Sequence, residues 1–250
     1  MAKRTAKKLP EALSQDELRR LLERPNVTTT TGLRDRAMLE VMARAGLRVS
    51  ELVALRPEDI TWSTPGDVGL IHVKDGKGGK DRNVPISDLA ERWMRAWAKA
   101  RSGRAECFFH TCSGRSGGAV TSKRGSQLNP RTVWAAVKRY AAAAQLPEWV
   151  SPHRLRNTFA TWQIGEGTPT VVLASMMGHE HVETTEIYTR VGTPETKEAM
   201  RRINARNAEQ RSLDGLPSAQ AVAAGQRLER IAERLGVSLD SYLAALEAEA

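Results

Sequence analysis

Residues 178–188 read GHEHVETTEIY, which places Tyr188 nine residues after His179 of a Gly-His pair. Two further motifs precede this stretch: residues 153–156 read HRLR, an H-x-x-R pattern, and residues 45–52 read AGLRVSEL. Each fragment alone is a weak signal, because a single arginine or histidine is most often a surface side chain. Their joint order within the length of one domain favours a single site to which all three contribute.

The composition is that of a globular protein with a basic surface. The chain has 250 residues, enough for one large domain or for one domain with an appendage. A net charge of +9 and a pI of about 9.9 favour an anionic partner, most commonly nucleic acid. No stretch approaches the roughly 20 apolar residues that span a bilayer, so we expect no membrane partner. Residues 1–9 are basic but no apolar segment follows, so they are a DNA-facing arm or a solvated tail.

The two cysteines of the chain are Cys107 and Cys112, with His110 between them. Their spacing suggests either part of a metal site or two reduced thiols near the end of a strand. A structural zinc site needs four ligands, and no second ligand pair lies at finger-like spacing, so we expect thiols and no metal. Two cysteines provide no disulfide framework, which fits a reducing cytosol.

Capping signals predict most of the secondary structure as helices. Ser14 and Glu17 form a capping-box pattern, and apolar residues recur at helical spacing over 33–45. Gly46 is placed to end that second helix in the left-handed conformation. Ser87 caps a later helix. The pattern of a capping residue followed by proline then recurs four times, at Asn129-Pro130, Ser151-Pro152, Thr168-Pro169 and Thr193-Pro194.

A short part of the chain changes to strand periodicity. Residues 68–73 and 82–86 predict two strands, and the glycine-rich residues 75–79 predict the turn of a hairpin. Residues 113–128 are rich in Gly, Ser, Lys and Arg and predict a loop. The fold class is therefore mainly α with a small antiparallel β-sheet, an α+β arrangement.

Residues 212–250 differ from the rest of the chain. Gly215 and Pro217 interrupt it, and apolar residues then suggest two amphipathic helices split at Gly236. This extension is either a helical hairpin packed on its own domain or an oligomerisation element that docks on a neighbouring protomer.

The order of Arg48, H-x-x-R, Gly-His and Tyr188 resembles the tyrosine recombinases, the family of phage integrases and Xer-type enzymes. The resemblance covers roughly residues 10–205 and implies a catalytic domain at 10–211 with the fold class above. It also implies site-specific cleavage and rejoining of double-stranded DNA through a 3′-phosphotyrosyl link and a free 5′-hydroxyl, without metal or nucleotide cofactor. Family members work as tetramers on two paired sites, so we expect a homotetramer on DNA and a monomer without it.

The resemblance assigns a role to each residue of the motifs. Tyr188 matches the nucleophile; a phenol with a pKa of about 10 must lose its proton as it attacks, and nearby cations lower that cost. Arg48 and Arg156 match the arginines whose planar guanidinium groups suit the non-bridging phosphate oxygens. His153 lies three residues before Arg156, a helical spacing that places both on one face. His179 matches the second histidine of the family.

Two further positions support these groups. Glu51 matches the acidic residue that follows the first arginine. Lys77 lies in Gly76-Lys77-Gly78, which matches the turn whose lysine protonates the leaving 5′ oxygen in the family. A solvated turn lysine is the rival interpretation, because Lys74 and Lys80 are close by.

The helix that begins at Pro130 corresponds to a family element near the major groove. Contacts of basic residues with phosphates give affinity and salt dependence more than sequence choice. An ordinary basic surface is the alternative for each of the candidate DNA-binding residues, which are Lys123, Arg124, Arg131, Lys138 and Arg139.

The chain departs from the family pattern at its N-terminus, because only residues 1–9 precede the catalytic pattern. The separate core-binding domain that most members carry is therefore expected to be absent, either in a short natural form or in a catalytic domain cut from a longer protein. Met1 and the continuous basic start favour a natural chain.

Two rival functions are a DNA-binding regulator that no longer cuts and a relaxing enzyme of the type IB topoisomerase kind. Each of the three functions would place the protein in the cytoplasm, at the nucleoid.

Overall fold

The computed structural model describes residues 12–65, 67–74, 81–101, 103, 105–112, 115–116, 119–120, 125–178, 200–202, 204–205, 225 and 229–232. Within these ranges the chain forms α-helices and two small antiparallel sheets. The prediction of a mainly α fold with a small antiparallel sheet is therefore confirmed. The helices are α1 Gln15–Leu22, α2 Thr30–Arg44, α3 Val49–Ala54, α4 Asp88–Ala100, α5 Pro130–Ala143, α6 Pro152–Gly165 and α7 Thr170–Met177.

Local capping explains where most of these helices begin. The Ser14 hydroxyl accepts the backbone N–H of Glu17, and the Glu17 carboxylate accepts that of Ser14, so the predicted capping box is present. The side chains of Ser87, Asn129 and Ser151 likewise cap α4, α5 and α6.

The predicted cap at Thr168 is wrong. The hydroxyl of Thr168 donates to the side chain of Gln163, 2.8 Å away, and Pro169 is the residue that precedes α7. The preceding helix supplies a side-chain acceptor for Thr168, so its hydroxyl does not cap the next helix. The similar pattern at Thr193-Pro194 lies outside the described residues.

The larger sheet has three strands: β1 Ile60–Thr61, β2 Leu70–Val73 and β3 Arg82–Pro85. They pair antiparallel in the order β1-β2-β3, and Val73 lies opposite Arg82 at the hairpin end. The predicted hairpin strands are confirmed with shorter bounds, whereas β1 was not predicted. The predicted turn at 75–79 lies outside the described residues.

A second, two-stranded sheet forms within the predicted loop 113–128. Strand β4, Arg115–Ser116, pairs antiparallel with β5, Ala119–Val120. Each strand has two residues, too short for alternation to be visible in the sequence, so the prediction of a loop was wrong for these four residues.

The main core lies between α2, α4, α6 and the three-stranded sheet. Helix α4 contributes Trp93 and Trp97, both fully buried. Gly46 has the predicted left-handed conformation, with φ of +64°. A Cβ there would lie 2.4 Å from the Phe159 ring of α6, so only glycine lets the chain turn against that ring.

A second apolar cluster joins α6 and α7 to a later segment. Phe159 and Met176 pack in it together with Met200, which is completely buried. The Asn204 side chain accepts the backbone N–H of Asp88 at 2.9 Å and donates to its carboxylate at 2.6 Å. The segment that contains Met200 and Asn204 is therefore anchored to the start of α4 in the same protomer.

The described part of the C-terminal extension also contacts its own chain. The Glu229 carboxylate accepts the backbone N–H of Thr31 at 3.4 Å, and a Cβ at Gly225 would meet the carbonyl of Thr28. Among the described residues, no helix has the length and apolar character needed to cross a membrane.

Candidate active site

Arg48 begins the site at the N-terminal end of α3. Its backbone N–H donates to the Glu51 carboxylate at 2.8 Å, which satisfies one of the free donors at the start of that helix. Its Nη1 donates to Glu51 Oε1 at 2.8 Å, and its Nη2 donates to the carbonyl of Gly178 at 2.9 Å. The Arg48 side chain is 27% exposed, so this guanidinium group lies at the surface of the cluster.

Glu51 binds a second arginine, Arg82, which comes from strand β3. Arg82 Nη1 donates to Oε1 at 3.0 Å and Nη2 donates to Oε2 at 2.9 Å, a bidentate pair in which both side chains are buried. Burial would raise the pKa of Glu51, but the hydrogen bonds and charges of Arg82 and Arg48 outweigh burial and hold that pKa below its ordinary value. Glu51 is therefore a carboxylate at neutral pH.

The last backbone carbonyls of α7 accept hydrogen bonds from all three arginines. Met176 O accepts from Arg82 Nε at 2.9 Å, Met177 O accepts from Arg156, and Gly178 O accepts from Arg48. Carbonyls at a helix C-terminus have no partner within the helix and carry the negative end of its dipole, which favours cations. The end of α7 therefore holds guanidinium groups from three different elements in one place.

Arg156 lies on α6 and, in contrast to Arg48, is buried. Its Nη1 donates to the carbonyl of Gly46 and its Nη2 to that of Met177. Burial and the charges of Arg48 and Arg82 lower the pKa of Arg156, the charge of Glu51 partly offsets them, and the resulting pKa is about 10. Arg156 is therefore still charged at neutral pH, although its ionised form is disfavoured by its surroundings.

His153 is exposed and lies on the first turn of α6. The structure thus brings Arg48, Glu51 and Arg156 together and places His153 one helical turn before Arg156. Five other predicted site residues lie outside the described residues: Lys77, Lys123, Arg124, His179 and Tyr188.

The predicted DNA-binding residues of α5 separate into two faces. Arg131 and Lys138 lie on one side together with Trp134, whose side chain is 48% exposed with Lys138 Nζ 4.8 Å from its ring centre. Arg139 points to another side, where it lies 3.3 Å from the Asp35 carboxylate and over the Tyr140 ring. Trp134 was missed in the sequence, where it looks like any other apolar residue of a helix.

Arg82 is another residue of the candidate site that the sequence analysis missed. It was interpreted as the first residue of a strand, yet it lies on the same inward face as Val84, two residues later. A charged residue at an inward strand position was the available signal, because burial of an arginine requires a partner.

The cysteines lie apart from this cluster. Both Cys107 and Cys112 are buried free thiols, and burial raises the pKa of each. Cys112 Sγ lies 3.6 Å from Arg34, which also donates to the carbonyl of His110. Within the described ranges no group of three metal-ligating side chains lies close together.

Residues 11–194 match the phage integrase family. The chain belongs to this family. Relatives include the tyrosine recombinase XerD of Ralstonia nicotianae, 36% identical over 201 residues that cover 80% of this chain and 61% of the relative. The tyrosine recombinase XerA of Pyrococcus furiosus is 34% identical over 200 residues, or 79% of this chain and 63% of the relative. The chain thus spans about three fifths of the length of these curated relatives.

Solved structures of family members have the same fold. The crystal structure of XerA recombinase matches with a TM-score of 0.56 and 24% identity, over 83% of this chain and 66% of that one. The integrase of mycobacterium phage Brujita matches with a TM-score of 0.59 and 20% identity, over 88% and 64%. A post-cleavage complex of XerH with its palindromic difH substrate matches with a TM-score of 0.55 and 21% identity, over 82% and 53%.

Proposed function

We propose that this protein is a site-specific DNA recombinase that cleaves and rejoins strands through a 3′-phosphotyrosyl intermediate. The observation that carries this proposal is the cluster of three arginines around Glu51, one of which reaches the surface. Glu51 binds two of the guanidinium groups, and the third, that of Arg156, lies near it, so the cluster has an excess of positive charge that a phosphodiester can neutralise. The relatives described above, XerD and XerA, are tyrosine recombinases, which supports the same activity.

In the proposed reaction the Tyr188 hydroxyl oxygen attacks the phosphorus of the scissile phosphodiester. The bond from that oxygen to phosphorus forms, the bond from phosphorus to the 5′ oxygen breaks, and the phosphorus is not reduced or oxidised. The phenolic proton leaves to a base, and the 5′ oxygen takes up a proton from an acid. Arg48 and Arg156 bind the non-bridging oxygens, where negative charge accumulates, with His153 and His179 beside them.

Lys77 remains our candidate for the acid that protonates the 5′ oxygen. Its rival Lys74 has its Nζ 2.5 Å from the Asp59 carboxylate, and this hydrogen bond raises the pKa of Lys74. A lysine held by a carboxylate is a poorer proton donor, which supports Lys77 by comparison.

The proposed DNA surface runs from the exposed side of Arg48 to α5. Arg131 and Lys138 would bind phosphates, and the exposed ring of Trp134 between them would contact bases. Lys123, Arg124 and Arg139 are further candidates for phosphate contacts.

We infer that four protomers act on two paired sites on DNA at the nucleoid. We also infer that residues 10–211 are the catalytic domain and that residues 212–250 are an extension.

Covalent trapping tests the proposal directly. The protein is incubated with labelled duplex carrying a nick next to the scissile phosphate, denatured, and resolved to detect a DNA–protein adduct. We expect an adduct with the wild type and none with Tyr188→Phe. Tyr140→Phe is the matched control, because the Tyr140 hydroxyl is engaged with Asp35 at 2.8 Å and should leave adduct formation intact.

The remaining outcomes distinguish the rival functions. DNA binding without any adduct would favour a regulator that no longer cuts. Relaxation of a supercoiled plasmid that lacks any specific site, without strand exchange between paired sites, would favour a topoisomerase.

A further inference from the structure

Arg82 is tied to the arginine cluster by every nitrogen of its guanidinium group. Two nitrogens bind the two oxygens of Glu51, and the third binds the carbonyl of Met176. The side chain is buried and all three of its nitrogens already have partners, so it offers little to a DNA phosphate. Arg82 therefore differs from Arg48, which has the same carboxylate as a partner but reaches solvent.

This buried ion pair is distinguished by the elements that it joins. Well-packed apolar residues often stabilise a protein as much as a buried ion pair does, because charges lose hydration on burial. Arg82 nevertheless joins three elements, since its backbone is in β3, Glu51 is in α3 and Met176 is in α7. These are the elements that carry Arg48 and the helix end onto which Arg48 and Arg156 bind.

The geometry of Glu51 explains what Arg82 adds. A carboxylate binds an arginine most strongly in the bidentate arrangement, and Arg82 occupies that arrangement. Arg48 is left with a single side-chain bond to Oε1, and its Nη2 is directed to Gly178 O. Without Arg82, both oxygens of Glu51 would be open to Arg48, which could then be drawn into a bidentate pair and away from a phosphate.

We propose that Arg82 is a positioning residue for strand cleavage: it occupies Glu51 and thereby holds Arg48 in the orientation that binds the scissile phosphate. This inference rests on the proposed function and extends it to a residue that touches neither DNA nor the nucleophile. A misplacement of a phosphate-binding group by about 1 Å costs on the order of 100-fold in rate.

A double-mutant cycle between Arg82 and Arg48 tests this inference. Wild type, Arg82→Met, Arg48→Ala and the double variant are compared in single-turnover cleavage of a nicked duplex whose scissile 5′ bridging oxygen is replaced by sulfur. The thiolate leaves without a general acid, so the measurement does not depend on Lys77. We expect Arg82→Met to slow cleavage about 100-fold in the wild-type background and less than about threefold in the Arg48→Ala background.

Arg36→Met is the matched control. Arg36 is also a buried arginine, paired with Glu40 and bound to a backbone carbonyl, that of Leu22, at 2.7 Å. Its substitution removes a comparable ion pair, and we expect equal effects in both backgrounds once the rate is corrected for the folded fraction. If Arg82→Met does not fold, Arg82→Lys replaces it in the double-mutant cycle, since it keeps the charge but not the bidentate geometry. We then expect a smaller loss of cleavage rate, about tenfold.

Each result bears on one idea. An Arg82→Met defect that is present with oxygen but disappears with the sulfur substrate would mean that Arg82 acts through the hairpin lysine, and the inference would be overturned. A defect of equal size in both backgrounds would likewise overturn it, since Arg82 would then act independently of Arg48. A wild type that gives no adduct with either substrate would instead contradict the proposed function itself.

Discussion

The arginines around Glu40 and those around Glu51 each surround one buried carboxylate, and the two clusters are built differently. In α2, Glu40 binds Arg36 and Arg44, each four residues away on the same helix. At the candidate active site, Glu51 binds Arg48 from the same helix end but Arg82 from a strand 31 residues away. The first cluster is local, whereas the second assembles only when the chain has folded.

The difference in charge and exposure is equally informative. The α2 cluster has two arginines for one carboxylate, and all three side chains are at least 90% buried. The site cluster has three arginines, including Arg156, and Arg48 is partly open to solvent. An excess of positive charge that reaches the surface favours an anionic ligand, whereas a closed cluster favours only the fold.

The largest effect should separate the two clusters by activity. Arg48→Ala removes the charged donor that we propose to bind the scissile phosphate, and we expect a loss of about 1,000-fold in single-turnover cleavage. The melting temperature should change little, because this side chain is partly exposed. A loss of cleavage that is fully explained by a lower melting temperature would show that Arg48 serves the fold and not the reaction.

The converse variant lies in the closed cluster. Arg36→Met leaves the fully buried Glu40 with one partner fewer, and we expect a loss of about 3 kcal/mol in the free energy of unfolding. Urea denaturation followed by circular dichroism measures this loss. Cleavage by the folded fraction should stay within about threefold of the wild type, and a much larger loss would mean that the closed cluster also supports the site.

A smaller effect should depend on pH and report on Glu51. The pKa of Glu51 is below its ordinary value of 4.5 in the folded protein, so its contribution to stability is present above that pH and is lost as the pH falls through the lower, folded value. We expect Glu51→Gln to cost about 2 kcal/mol at pH 7 and progressively less below pH 4.5. Glu58→Gln, an exposed carboxylate, is the control, and a cost for Glu51→Gln that does not vary with pH would contradict this account.

The smallest effects concern the proposed DNA surface on α5. Arg131→Ala should reduce the slope of log binding constant against log salt by about one, because one phosphate contact is lost. Trp134→Ala should cost about 1 kcal/mol of binding and leave that slope unchanged, because an aromatic contact with a base releases no counterion. Filter binding over a range of salt concentrations measures both, and a change of slope with Trp134→Ala would argue against a contact with bases.

The parts of the fold that could be predicted depend on neighbouring residues. Helix starts are marked by Ser14, Ser87, Asn129 and Ser151, because each capping side chain and the backbone N–H from which it accepts lie within three residues. Gly46 marks a helix end because the left-handed conformation excludes most side chains. Thr168 failed as a cap because a side chain of the preceding helix, Gln163, took its hydroxyl.

The site could be predicted only where a motif names it. Arg48, Glu51 and Arg156 were found from the order of motifs, and the structure brings them together. Arg82 was not found, because its partners Glu51 and Met176 are 31 and 94 residues away and no local pattern announces them. Arg139 was grouped with Arg131 by its charge, although the helical period directs it to a different side, against Asp35.

The end of α7 binds the arginines through backbone carbonyls, and this determines which mutations the site can tolerate during evolution. A carbonyl is present whatever the side chain is, so Met176 and Met177 can be exchanged for other apolar residues without loss of an acceptor. Gly178 is constrained, because it has φ of +61° and a Cβ would lie 3.0 Å from Arg82. Substitutions at Met176 and Met177 should therefore be tolerated more readily than one residue inserted into α7, which would rotate the carbonyl acceptors by about 100° about the helix axis.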